Sequence, residues 1–147
     1  MIQITPMNEE NYKAVAAIEA ACFSQPWSEK TFFEELSNPN AHTYLALAGG
    51  EPAGFLSVWE VLGEVSVNNI AVLDAHRRKG IAKALLQQML LDLSQAQSVT
   101  LEVRKSNSPA IALYKAFGFE QVGERKNFYS QPTENAILMT KILNGET

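Results

Sequence analysis

Residues Val67-Asn68-Asn69-Ile70-Ala71-Val72-Leu73-Asp74-Ala75-His76-Arg77-Arg78-Lys79-Gly80-Ile81-Ala82-Lys83-Ala84-Leu85 decide the fold. A run that reads as a strand gives way to a basic turn. A helix over 80–93 follows, carrying Ile81, Leu85, Met89 and Leu93 on one face. Beyond it Val99, Leu101 and Val103 alternate with other residues, the period-two pattern of a strand. Strand, helix and strand in this order predict parallel pairing with a right-handed crossover.

On the N-terminal side, residues 2–5 alternate as a short strand closed by Pro6. A helix is expected from a cap at Asn8 to about Ala21, with Val15, Ile18 and Cys22 on its apolar side. Gln25-Pro26-Trp27 interrupts it, and Ser28 is placed to cap a short helix carrying Phe32, Phe33 and Leu36. Strands over 43–47, 53–61 and 64–72 are separated by turns at Gly49-Gly50-Glu51-Pro52 and at Gly63. On the C-terminal side, Ser108-Pro109 reads as a cap followed by proline at the first helical position. Gly118 stops that helix, and two last strands are expected near 120–128 and 135–143. The pattern is α/β, with hairpins on both sides of one parallel crossover.

The chain has 147 residues, a size that suits one domain, and no repeat or linker divides it. A single domain over 1–147 is therefore expected. The net charge of −4 argues against general nucleic-acid binding. Cys22 is the only cysteine, so no intrachain disulfide forms, and its helical spacing suits core packing. One cysteine and two histidines offer no metal cluster. The first ten residues lack the pattern of a signal peptide, and no segment has the apolar length of a membrane helix. A cytoplasmic protein is expected.

Arg77, Arg78, Lys79 and Lys83 put four cations within seven positions of an acidic chain, around Gly80 at the start of a helix. Open amides at a helix start favour an anion, and arginine suits a multiply charged pyrophosphate. A solvated basic turn is the plain alternative. The spacing is neither that of a P-loop nor that of the dinucleotide Gly-x-Gly-x-x-Gly fingerprint.

Arg77-Arg78-Lys79-Gly80-Ile81-Ala82 resembles the Gln/Arg-x-x-Gly-x-Gly/Ala signature of the GNAT superfamily of N-acetyltransferases. The order of elements fits as well, over essentially the whole chain. The resemblance implies the GNAT fold: a mixed, largely antiparallel sheet of about six or seven strands, with a splayed parallel central pair and flanking helices. It also implies acetyl-CoA as acetyl donor. Its pyrophosphate would be held by Arg77, Arg78, Lys79, Gly80, Ile81, Ala82 and Lys83, and its pantetheine amides by the backbone of Ile70, Ala71 and Val72.

Pro26-Trp27-Ser28-Glu29-Lys30-Thr31-Phe32, Leu101-Glu102-Val103-Arg104, and Ser106-Asn107 with Ala110-Ile111-Ala112-Leu113-Tyr114 narrow the resemblance. They are similar to the RimI-type ribosomal-protein alanine N-acetyltransferases, as are Gly118-Phe119 and Asn127-Phe128-Tyr129. That resemblance implies Glu102 as general base, Tyr114 as general acid to the leaving thiolate, and Asn107 as a CoA contact. Trp27 and Tyr129 would lie on the acceptor side, with the N-terminus of a ribosomal protein as partner and neither nucleic acid nor membrane involved. Ser130, where relatives often have proline, and Asn135, where aspartate is common, depart from the pattern on that side.

Taken alone, these residues have ordinary readings. Glu102 would be a strand carboxylate paired with Arg104, and Tyr114, three residues from both Ile111 and Phe117, would be core. Acetylating an amine requires removing its proton, stabilising an oxyanion and assisting the departing thiolate. An α-amine, with pKa ~8, is easier to deprotonate near neutrality than lysine at ~10.4. The N-terminal alanine of a small-subunit ribosomal protein is the leading acceptor. Lysine or broader N-terminal acetylation, a small-molecule amine and a non-catalytic acyl-CoA-binding module remain alternatives.

Overall fold

The computed structural model describes residues 1–144. Its elements are β1 (Ile2–Pro6), α1 (Tyr12–Cys22), α2 (Glu29–Glu35), β2 (Ala41–Ala48), β3 (Glu51–Val61), β4 (Glu64–Val72), α3 (Ile81–Asp92), β5 (Ser98–Arg104), α4 (Ser108–Ala116), β6 (Glu120–Tyr129) and β7 (Glu134–Ile142). The strands form one mixed seven-stranded sheet with hydrogen-bonded order β1-β2-β3-β4-β5-β7-β6. β4 and β5 pair in parallel, as the crossover pattern predicts. Tertiary contacts divide the chain into two compact units, and the division passes through β4.

The first unit holds residues 1–60 and 68–94. Antiparallel registers join β1 to β2 and β2 to β3, with a bulge between Ala46 and Leu47. Pro52 sits opposite Leu47 at that bulge, so β3 begins two residues earlier than its alternation suggests. A bulge tolerates the missing proline N–H. The core gathers Val15, Ala16 and Ile18 of α1, Phe32 of α2, Leu45, Phe55 and Ala71. Phe32 meets Phe55 edge-on at 5.9 Å, and both are fully buried. Each such ring contributes about 1.5–3 kcal/mol by leaving water. On α3 the spacing of Ile81, Leu85 and Met89 translates into a buried stripe, joined by Leu86.

Helix starts follow local chemistry, in two cases not at the expected residue. Ser28 Oγ accepts from the Thr31 amide at 3.1 Å and caps α2 as expected. Asn8 instead closes a turn ahead of α1, accepting from the amides of Glu10 and Asn11, while Asn11 stands at the helix N-cap. At α4 the cap is Asn107, whose Oδ1 accepts from the Ala110 amide, and Ser108 is the first helical residue. Asparagine and serine cap about equally well, so composition alone leaves the frame open by one position.

Gly54 of β3 is buried where a Cβ would stand 2.6 Å from the Ala71 carbonyl oxygen of β4. The obstacle is backbone, which cannot rotate aside. Gly54→Ala is therefore expected to cost about 1–3 kcal/mol of stability, as overpacking does. A urea denaturation midpoint equal to that of the parent would contradict this contact.

The second unit holds residues 61–67 and the chain from 95 onward. Its parallel ladder is short: Glu64, Val65 and Ser66 pair with Ser98, Val99 and Thr100. From there β4 continues to Val72 and β5 to Arg104. β5 pairs antiparallel with β7 along its whole length, and β7 pairs with β6. Val99, Leu101 and Val103 are buried, as are Ala136, Ile137, Met139, Tyr114 and Phe119.

Candidate active site

In the first unit, residues 77–83 form the expected turn and helix start. Gly80 has φ +81° and a Cβ there would meet nothing within 4 Å, so the backbone is open to a close neighbour. Arg78 is also left-handed, with φ +66°. The first bond of α3 runs from the Ala84 amide to the Gly80 carbonyl, which leaves the amides of Ile81, Ala82 and Lys83 without an intrahelical acceptor. No side chain caps this helix start. Open amides, the positive end of a helix and exposed Arg77, Arg78, Lys79 and Lys83 fit a multiply charged phosphate group.

Two of these cations have local partners. Arg77 Nε lies 3.1 Å from Asp74, an exposed pair that constrains the side chain only weakly. Lys79 Nζ lies 3.1 Å from Nδ1 of His76, whose Nε2 is 4.0 Å from Glu51. These side chains border an open pocket of about 810 Å³ reaching to Ile2 and Ala48.

Trp27 is half-buried, with its ring 5.5 Å from Phe32 and 6.5 Å from Trp59. Its backbone amide donates to Oε2 of Glu19 at 2.8 Å. Asn69, next to Ile70 on β4, donates to the same carboxylate. Cys22 packs against the core as expected, and its thiol lies 3.8 Å from the Val72 carbonyl.

In the second unit, Glu102 lies on the face of β5 opposite the buried valines and leucine. It pairs with Arg125 Nε at 3.3 Å, its side chain 30% exposed. The ordinary pairing with Arg104 does not occur. Arg104 turns instead to the β6–β7 hairpin, donating to the carbonyls of Ser130 and Pro132 and to Glu134. Its guanidinium also lies 4.6 Å from the Tyr129 ring centroid. Glu134 in turn accepts from the Ser106 amide at 2.6 Å, one residue before Asn107. Asn135 donates to Glu124 and accepts from the Asn127 amide.

Tyr114 is 4% exposed and packs against Phe119 at 5.8 Å. Burial, with Tyr129 nearby, pushes its phenol up to about 12. Tyr129 is likewise pushed up to about 12, by burial first and then by the charge of Glu102. Such a phenol stays protonated at neutral pH and can donate. The charge of Glu102 thus opposes ionisation of Tyr129, and an ionised Tyr129 would oppose that of Tyr114.

Tyr44 is also raised, by burial first and then by Asp92. Raised phenols support stability that is complete below the unfolded pKa, ~10, and is lost as pH rises through the folded values. Absorbance titration at 295 nm should show Tyr44, Tyr114 and Tyr129 ionising late, with the denaturation midpoint falling between pH 10 and 12. Ordinary titration of these three in the folded protein would contradict their burial.

The contacts of Glu19, Arg104 and Glu134 are not legible in the sequence. Glu19 lies beside Ile18 on the helix, and its donors stand 8 and 50 residues away in the chain. The only sequence cue was a carboxylate bordering an apolar stripe.

The mixed seven-stranded sheet has a short parallel ladder between β4 and β5, and its glycine turn opens helix amides to an anion. The chain belongs to the acetyltransferase (GNAT) family, whose model matches residues 12–119.

Among its relatives, the [Ribosomal protein bS18]-alanine N-acetyltransferase of Escherichia coli strain K12 is 35% identical over 143 residues, covering 95% of this chain and 96% of that protein. The N-alpha-acetyltransferase RimI of Mycobacterium tuberculosis is 33% identical, covering 95% and 92%. The crystal structure of the ribosomal-protein-S18-alanine N-acetyltransferase from Escherichia coli superposes with a TM-score of 0.89 at 32% identity, covering 100% of this chain and 97% of that one. No helix among the described residues is long and apolar enough to cross a membrane.

Proposed function

We propose that the chain is a single-domain cytoplasmic enzyme that acetylates the N-terminal alanine α-amine of ribosomal protein bS18, using acetyl-CoA. The observation that carries this reading is its likeness, over 95% of its length, to an enzyme named for that reaction. Acetyl-CoA would supply an acyl thioester already activated for attack by an amine. Arg77, Arg78, Lys79 and Lys83, with the backbone at Gly80, Ile81 and Ala82, would hold its pyrophosphate, and Asn107 would add a contact. The three-pair ladder supports pairing of the pantetheine amides with the backbone of Ile70, Ala71 and Val72, which lie past the ladder's last rung at Ser66.

In this proposal Glu102 takes the proton from the α-ammonium, directly or through water. Tyr114, kept protonated by burial, gives a proton to the departing thiolate. Trp27 and Tyr129 line the acceptor peptide. Raised phenol pKa and accessible carboxylate suit donor and acceptor of protons respectively.

The test is release of CoA thiol from acetyl-CoA with a panel of acceptors. It comprises a peptide copying the bS18 N-terminus, the same peptide blocked at its α-amine, a lysine peptide and polyamines. Turnover confined to the free N-terminal peptide supports the proposal. Turnover with lysine or polyamines overturns the acceptor, and silence across the panel favours an acyl-CoA-binding module.

A further inference from the structure

Among the described residues, Glu19 is the only charged side chain in the buried class, at 1% exposure. A carboxylate loses its hydration on burial and persists only where donors replace water. Here those donors are neutral and come from two other segments. The Trp27 amide donates to Oε2 at 2.8 Å, and Asn69 Nδ2 lies 2.9 Å from Oε1 and 3.2 Å from Oε2. Desolvation raises the Glu19 pKa, and both donors lower it again. One side chain of α1 thus ties the segment before α2 to β4, at the residue preceding Ile70. The other end of that segment is fixed by the Ser28 cap.

We infer that Glu19 is a positioning residue that fixes Gln25-Pro26-Trp27-Ser28 against β4, setting the position from which Trp27 meets the acceptor. That effect on the acceptor rests on the acceptor-side role proposed for Trp27. A space-filling role would be met by an apolar side chain. Glu19 instead presents only acceptors to two donors, a pattern that an apolar side chain cannot supply.

That chemistry supplies a contrast. Glu19→Met fills similar space but leaves the Trp27 amide and Asn69 without their acceptor. In Glu19→Gln the amide oxygen still accepts from Trp27, and Asn69, by turning its amide over, accepts from the new NH2. The measurements use a Trp59→Phe background, which leaves Trp27 as the single tryptophan.

Glu19→Met is expected to shift Trp27 emission to the red and raise the acceptor-peptide KM about tenfold, with acetyl-CoA KM held within about twofold. Asn69→Asp, which sets two carboxylates together, should do at least as much. Glu19→Gln should keep both emission and peptide KM close to those of the parent. Unchanged emission in Glu19→Met, or a Glu19→Gln variant no closer to the parent than Glu19→Met, overturns the inference. Emission that shifts in Glu19→Met but not in Glu19→Gln, while peptide KM stays constant, upholds the hold by Glu19 and removes Trp27 from acceptor binding. Should Glu19→Met fail to fold, Asn69→Asp compared with Glu19→Gln carries the same test.

Discussion

Glu102→Gln is expected to lower kcat by about a hundredfold at pH 6.5, the usual scale of a general base, and by much less at pH 9. An α-amine of pKa ~8 is mostly protonated at the lower pH and mostly free at the higher one, so the base matters most where the ammonium dominates. Stability should barely change. The carboxylate is partly exposed, and its partner Arg125 has a side chain 58% exposed. Such surface pairs contribute about 0–1 kcal/mol. Stopped assays of kcat against pH, beside urea midpoints, separate the two effects. A rate equal to the parent at pH 6.5 would return Glu102 to the plain role of an ion-pair partner.

Tyr114→Phe is expected to reduce kcat about a hundredfold at every pH from 6 to 9. The phenol, at about 12, remains protonated over that interval, so no pH restores what the variant lacks. Phenylalanine keeps the ring against Phe119, and the acetyl-CoA KM should stay within about twofold. A large rise in that KM with kcat intact would instead make Tyr114 a packing residue for the donor.

The two variants differ in a third respect. An acetyl donor with a better leaving group needs less help from an acid but the same help from a base. Tyr114→Phe should therefore recover activity with an activated acetyl thioester of low thiol pKa, whereas Glu102→Gln should not.

Much of the fold was legible because its signals are local. Ser28, Gly118 and the helical stripe of Ile81, Leu85 and Met89 each depend on neighbours within a few residues, and each behaves as read. The alternation of Val99, Leu101 and Val103 put Glu102 on the opposite face of its strand, where the structure has it. Partners could not be read the same way. Arg104 was the natural companion of Glu102 by proximity, yet its hydrogen-bond acceptors lie 26 to 30 residues downstream. Arg125, the actual companion, comes from a strand that reaches β5 only through β7. Side chains that close long loops leave no periodic trace, which is why Glu19 escaped notice while the basic turn did not.

The half-buried Cys22 has a practical bearing on all these assays. Thiolate, not thiol, reacts with a disulfide chromophore, and burial holds the Cys22 proton more firmly than in a free cysteine. With no second cysteine in the sequence, the enzyme itself can contribute at most one slow equivalent of colour per chain. Any absorbance beyond that stoichiometric background is released CoA, so turnover can be followed continuously in the unaltered protein without first removing its own thiol.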